Sequence, residues 1–257
     1  MSKNVIFPDT VPFAVKHAPE LQAKMDKFLS PLGLTSVRVG SSHNKDSDEL
    51  TNDLDLQVDL DDIIRAFNAQ PDPKNKKDTP DSAARRALSA HMTEHGFQTK
   101  QAGVNVFVRL PFGPNAHQVD LECIRKVAKV SRYHQHNIPH GSPYKGVSKQ
   151  LMIASLAKQK GYVYSAWEGL FQRTPENKKG PLITDDWDEI AKTLLGQHAT
   201  GDNIDSVEAI MKSLPHDQAE ELLAHVRQDK NWIEKTHPTV TENALVWFKS
   251  ISQKLAI

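Results

Sequence analysis

Between residues 53 and 60 the chain reads DLDLQVDL. In an extended backbone Leu54, Leu56, Val58 and Leu60 point one way, and Asp53, Asp55, Gln57 and Asp59 point the other. A period of two predicts a half-buried strand. Just upstream, TSVRVG reads as a short strand that ends at Gly40. Earlier still, APELQAKMDKFLSPLG sets Leu21, Met25, Phe28 and Leu29 on one helical face, with Gly33 past its end. Downstream, QPDPKNKKDTPDS is a loop by its proline and charge content, and Ser82 is placed to cap a helix over AARRALSAHMTEH that Gly96 closes. GVNVFVRL and AHQVDLECI flank PFGPN and predict a β-hairpin.

From about residue 145 the pattern changes to helical spacing in SKQLMIASLAKQKG, DDWDEIAKTLLG, SVEAIMKSLP, DQAEELLAHVRQDKNWIEK and TENALVWFKSISQKLA, punctuated by Gly196 and Pro215. The tract GYVYSAWEGLFQRTPENKKGPLIT is less regular and has room for a small hairpin. The expected class is therefore α+β. A mixed sheet with flanking helices spans residues 1–135, and a helical domain spans residues 136–257, with the boundary inside VSRYHQHNIPHGSPYKGV.

Composition narrows the field. The 32 basic and 32 acidic residues balance, with a pI near 7.2, which excludes a globally basic nucleic-acid binder but leaves room for a local basic patch. Cys123 is the one cysteine, so there is no intrachain disulfide framework. No apolar run approaches the ~18 residues of a membrane span, and MSKNVIFPDTVPF lacks the unbroken apolar core of a leader. These features predict a cytoplasmic protein with no membrane partner.

The carboxylates carry the chemistry. On a strand, Asp53 and Asp55 project from one face about 7 Å apart. With no cation in the strand they raise each other's pKa unless something neutralises them. Hard oxygen donors suit Mg²⁺, which binds one or two carboxylates together with substrate phosphates. In HQVDLECI the residues Gln118, Asp120 and Glu122 share a polar face opposite Val119, Leu121 and Cys123. If that strand lies beside the first, Asp120 joins the pair, with Glu122 as the alternative acid. Three carboxylates then suffice for two cations about 3.5–4 Å apart. A solvated acidic strand face would look the same locally. Asp59, Asp61 and Asp62 read as solvated residues or as caps of the helix DDIIRAFNAQ.

The order of the parts separates these readings. VGSS, then NDLDLQVDL, then QVDLECI resembles the nucleotidyltransferase superfamily typified by DNA polymerase beta, over about residues 30–130. That pattern is a hydrophobic residue with Gly-Ser, a short gap, an Asp-hydrophobic-Asp pair on a strand and a third Asp on a later strand. The resemblance implies a palm-like catalytic domain over residues 1–135 and a helical domain that completes the cleft. It implies that Gly40 and Ser41 cradle a triphosphate, that Asp53 and Asp55 bridge two Mg²⁺ ions (Mn²⁺ able to substitute), and that Asp120 holds the ion activating the attacking hydroxyl. Ser42 and Lys45 are further triphosphate candidates. The gap SHNKDSDELTN departs from the pattern in being acidic and polar, which leaves those two contacts open.

An NTP needs cations on the far side of its cleft. The run CIRKVAKVSRYHQHNIPHGSPYKGVSKQ has Arg125, Lys126, Lys129, Arg132, Lys145 and Lys149 and no acid. By the same resemblance Lys145 and Lys149 are nominated for phosphate and Tyr144 for base or sugar; a solvated connector is the plain alternative. His134, His136 and His140 have irregular spacing and no neighbouring Cys, and read as surface histidines rather than a zinc site. Trp167, Trp187, Trp232 and Trp247 read as core, although Trp167 with Phe171 is also a candidate to line a cleft. The expected activity is transfer of a nucleoside monophosphate from an NTP to an acceptor hydroxyl, releasing pyrophosphate. An RNA 3′ end such as that of tRNA is favoured as acceptor over a small molecule or a protein hydroxyl. A non-catalytic nucleotide- or RNA-binding module of the same fold is the rival class.

Overall fold

The computed structural model describes residues 6–43, 47–135, 138, 139, 142, 144, 146–176 and 178–227. In chain order these form β1 (Phe13–Ala14), α1 (Ala18–Leu29), β2 (Ser36–Val39), β3 (Leu50–Thr51), β4 (Asp53–Asp59), α2 (Leu60–Phe67), α3 (Pro80–Glu94), β5 (Gln98–Ala102), β6 (Asn105–Phe112), β7 (Asn115–Ile124) and α4 (Val127–His134). They continue with α5 (Gly146–Gln159), β8 (Tyr162–Ser165), β9 (Gly169–Arg173), β10 (Lys179–Thr184), α6 (Trp187–Leu195), α7 (Val207–Ser213) and α8 (His216–Arg227). The chain divides into two units, Met1–Gln135 and His136–Ile257.

The first unit is built on a mixed sheet in the order β2-β4-β7-β6-β5. β4 and β7 run parallel, and the other neighbours are antiparallel. One face of this sheet is apolar. Leu54, Leu56 and Val58 of β4, Val119, Leu121 and Cys123 of β7, and Val106, Val108 and Leu110 of β6 join Leu21, Met25 and Leu29 of α1 and Leu88 and Met92 of α3 in one core. Each such aliphatic side chain contributes about 1.5–3 kcal/mol on burial. The opposite face carries the polar alternates, and α4 packs along β2 and β4.

Local chemistry sets the element ends. Asp59 stops β4 and caps α2, its Oδ1 accepting from the Asp61 amide at 2.9 Å. Its Oδ2 accepts from the Val127 amide at 3.3 Å, which ties the start of α4 to the same carboxylate. Leu60 consequently opens the helix instead of extending the strand. The third helix begins before its expected start. Thr79 is its cap, Pro80 its first residue, and Ser82 the returning partner of a capping box. β5 was not expected: its five residues are mostly exposed and lack the apolar alternation that marks a half-buried strand. α4 lies inside the run that read as a basic connector.

The second unit, among its described residues, holds four α-helices and a three-stranded antiparallel sheet in the order β10-β9-β8. That sheet occupies the irregular tract where a small hairpin had been anticipated, so this half is not helical throughout. Trp187 is buried at the start of α6 and Trp167 is 37% exposed; Trp232, Trp247 and the helices expected in QDKNWIEK and TENALVWFKSISQKLA fall outside the described residues. No described helix is long and apolar enough to cross a membrane.

Leu121 pairs with Leu56 across the central parallel ladder, and both are fully buried. Leu121→Ala leaves a cavity directly behind Asp120 and should lower unfolding free energy by about 3 kcal/mol, read from urea denaturation.

Candidate metal centre

The pairing of β4 with β7 puts Asp55 directly opposite Asp120 and Asp53 opposite Gln118. One carboxylate oxygen from each of Asp53, Asp55 and Asp120 lies within 4.8 Å of the others. Asp120 is buried, and Asp53 and Asp55 are partly exposed. Two full charges about 5 Å apart repel by roughly 3 kcal/mol at an effective dielectric of about 20. A trio of anions at that spacing needs a proton or a cation. The hard-oxygen donor set fits Mg²⁺ or Mn²⁺ and offers nothing to a thiophilic metal. The three side chains could hold a metal ion.

The pKa of Asp120 shifts upward, chiefly because the carboxyl is buried. Burial pushes its carboxyl pKa up to about 7; the Gln118 amide pulls it back, while Asp53 and Glu122 push it further up. Gln118 Nε2 donates to Asp120 Oδ1 at 2.9 Å, and Gln118 Oε1 accepts from the Ile6 amide at 2.8 Å. The segment beginning at Ile6 is held in turn by Lys100, whose Nζ donates to the Ile6 carbonyl at 3.0 Å, and by the Asp9–Arg109 pair at 2.7 Å. One oxygen of Asp120 is thus oriented by a buried amide. Lower on the same face, Gln57 Nε2 donates to Glu122 Oε2 at 2.9 Å. Burial raises the Glu122 pKa, and this amide opposes the rise. Glu122 lies outside the set of three close carboxylates.

Gly40 closes the other side. It sits at the end of β2 with φ +71°, a left-handed conformation that a side chain disfavours. A Cβ there would lie 1.9 Å from Asp55 Oδ2. The glycine is required twice over, by its backbone and by the carboxylate that fills the space a methyl would take. Its amide donates to the His134 carbonyl at 3.3 Å. Ser41 begins a single 3-10 turn, Ser41–His43, and Ser42 is buried with Oγ donating to the Val39 carbonyl at 3.5 Å.

The described basic residues fall in both units. Arg125 is engaged on the surface, with Asp61 at 2.8 Å and Asp81 at 2.8 Å. Lys126 and Lys129 lie exposed at the start of α4. In the second unit Tyr144 is buried, and Lys149 is fully buried with Nζ 4.9 Å from the centre of the Trp187 ring. Lys45, Lys145, His136 and His140 lie outside the described residues. The sequence reading passed over Gln118 and Gln57 as orienting groups, although both sit on the polar side of the alternation that located the acids. Nothing in the sequence signals the contact from Ile6.

The chain matches no protein-family model, and no curated protein matches it. What the fold and site define is an α+β protein with a three-carboxylate candidate cation site on its central sheet.

Two expectations follow. Gly40→Ala should weaken Mn²⁺ binding by about 10- to 100-fold, measured by electron paramagnetic resonance, because it displaces the Asp55 carboxylate. Gly103→Ala should leave binding unchanged, since Gly103 is also left-handed, at φ +59°, but has open space around it. The second concerns pH. In the unfolded chain Asp120 ionises near its ordinary value of about 3.9, whereas the folded metal-free protein keeps the proton up to about 7. Stability in EDTA therefore falls as pH rises from about 4 to about 7, then levels. Asp120→Asn should remove that loss, raising Tm at pH 8 and leaving it little changed at pH 4, in thermal melts of both proteins.

Proposed function

We propose that this protein is a metal-dependent nucleotidyltransferase of the DNA polymerase beta type, moving a nucleoside monophosphate from an NTP to an acceptor hydroxyl with release of pyrophosphate. The observation that carries the reading is the convergence of Asp53, Asp55 and Asp120 on the polar face of one sheet, beside a glycine whose missing side chain makes room for Asp55. A merely solvated acidic strand has no need of a third acid from a separate strand, nor of a buried one.

Asp53 and Asp55 are the residues that would hold both cations, and Asp120 the residue that would hold the one nearer the acceptor. Two Mg²⁺ ions bound there would lower the pKa of an acceptor hydroxyl and neutralise charge on the leaving pyrophosphate. The chain's own contribution is orientation. Gln118 fixes one oxygen of Asp120 and leaves the carboxylate's remaining lone pairs for coordination. The parallel ladder holds Asp55 and Asp120 abreast. In-line positioning of the reactants supplies much of the remaining rate. The α+β unit with its mixed central sheet supports the assignment to this fold class. An RNA 3′ end is the acceptor favoured here.

Incubation with each α-labelled NTP, Mg²⁺ or Mn²⁺, and either total RNA or small-molecule pools tests the reading. The wild-type protein should transfer label and release pyrophosphate. Asp120→Asn should abolish transfer, keep its circular dichroism spectrum, and retain NTP binding better than Asp53→Asn. Full activity in Asp120→Asn would overturn the assignment.

A further inference from the structure

The three-stranded sheet of the second unit has two unlike faces. Tyr164 and Leu170, paired across β8 and β9, face α5: the Tyr164 hydroxyl donates to Gln150 Oε1 of that helix at 2.7 Å, and Leu170 is fully buried. The opposite alternates are Val163, Phe171 and Leu182, which align across the three strands. Val163 and Phe171 are half-buried and Leu182 is 46% exposed. Trp167, in the turn between β8 and β9, and Ile183, beside Leu182 on β10, are exposed as well, at 37% and 45%. Exposed aromatic and aliphatic groups on a small sheet are unusual unless something covers them.

One end of this sheet is basic. Arg173 closes β9 opposite Lys179, and Arg173 Nη1 donates to the Lys158 carbonyl at 3.3 Å, drawing the end of α5 to the same corner. Lys158, Lys160, Lys178 and Lys179 are all exposed. Between residues 158 and 184 the chain has these five cations against Glu168 and Glu176. Lys179 lies over the Phe171 ring, 5.1 Å from its centre, and pairs with Glu168. The corner therefore keeps a net positive charge after its internal pairing.

We propose that this face binds single-stranded RNA, with phosphates on the basic corner and unstacked bases on Phe171, Leu182 and Trp167. A flat apolar-aromatic surface bordered by lysines complements a chain with a regularly spaced anionic backbone and exposed π-faces. A neutral protein partner would leave the corner's charge without a complement. The inference rests on the proposed nucleotidyl transfer to RNA, for which it supplies a binding face, and the face itself is argued from the second unit alone.

The test uses the full chain with Asp120→Asn, in EDTA and without NTP, so that binding is read apart from transfer. A fluorescein-labelled single-stranded RNA of about a dozen nucleotides is titrated by anisotropy at several salt concentrations. Micromolar binding is expected, falling steeply with salt. Replacing Lys158, Lys160 and Lys178 together by alanine should flatten the log K against log salt slope by about 2, at about 0.7 per phosphate contact on a single strand. Phe171→Leu, which keeps the apolar bulk, should weaken binding about tenfold without changing that slope. No binding, a slope unaltered in the triple variant, or equal affinity for a duplex or for single-stranded DNA would overturn the proposal. So would self-association in sedimentation velocity that Leu182→Ser abolishes, which would give the face to a second copy.

Discussion

The register between β4 and β7 is the constraint on which the first unit's chemistry depends. Parallel pairing sets Asp55 abreast of Asp120 and Leu56 abreast of Leu121. Because side chains alternate strictly, a slip of one residue would turn one strand's acids into the core and its leucines to the polar side. The apolar face forbids that slip. Burial of Leu54, Leu56, Val58, Val119 and Leu121 against α1 and α3 holds the strands in the single alignment that also crowds three anions together. The favourable energy of one face sustains the unfavourable electrostatics of the other, the usual relation between a stable scaffold and a site that is costly to assemble.

Two of the acids on the polar face are held by neutral amides. Gln118 orients Asp120, and Gln57 orients Glu122. An amide can fix a carboxylate without neutralising it. Gly40 belongs to the same logic, since it supplies room where any side chain would collide with Asp55. Arg125, just past the end of β7, pairs with Asp61 and Asp81 on the surface.

The second unit distributes its charges differently. Lys149 is taken into the interior and set against the Trp187 ring, where a cation gains from the π-face while losing water. Other lysines gather with Arg173 at the edge of a small sheet whose outer face is left apolar. A tract too irregular to classify by periodicity thus acquires a defined surface only once its strands are paired.

The sequence by itself determined which residues share a face. Alternation in DLDLQVDL and HQVDLECI separates acids from leucines before any strand is paired, and helical spacing likewise marks the core side of α1, because side-chain direction is a local property of φ and ψ. Only the tertiary structure decided that β4 and β7 are neighbours, that Ile6 reaches Gln118, that β5 joins the sheet, and that Lys149 is buried. Those outcomes depend on which distant segments close upon each other. That choice is made by summed burial over the whole core, and no single stretch of residues carries it.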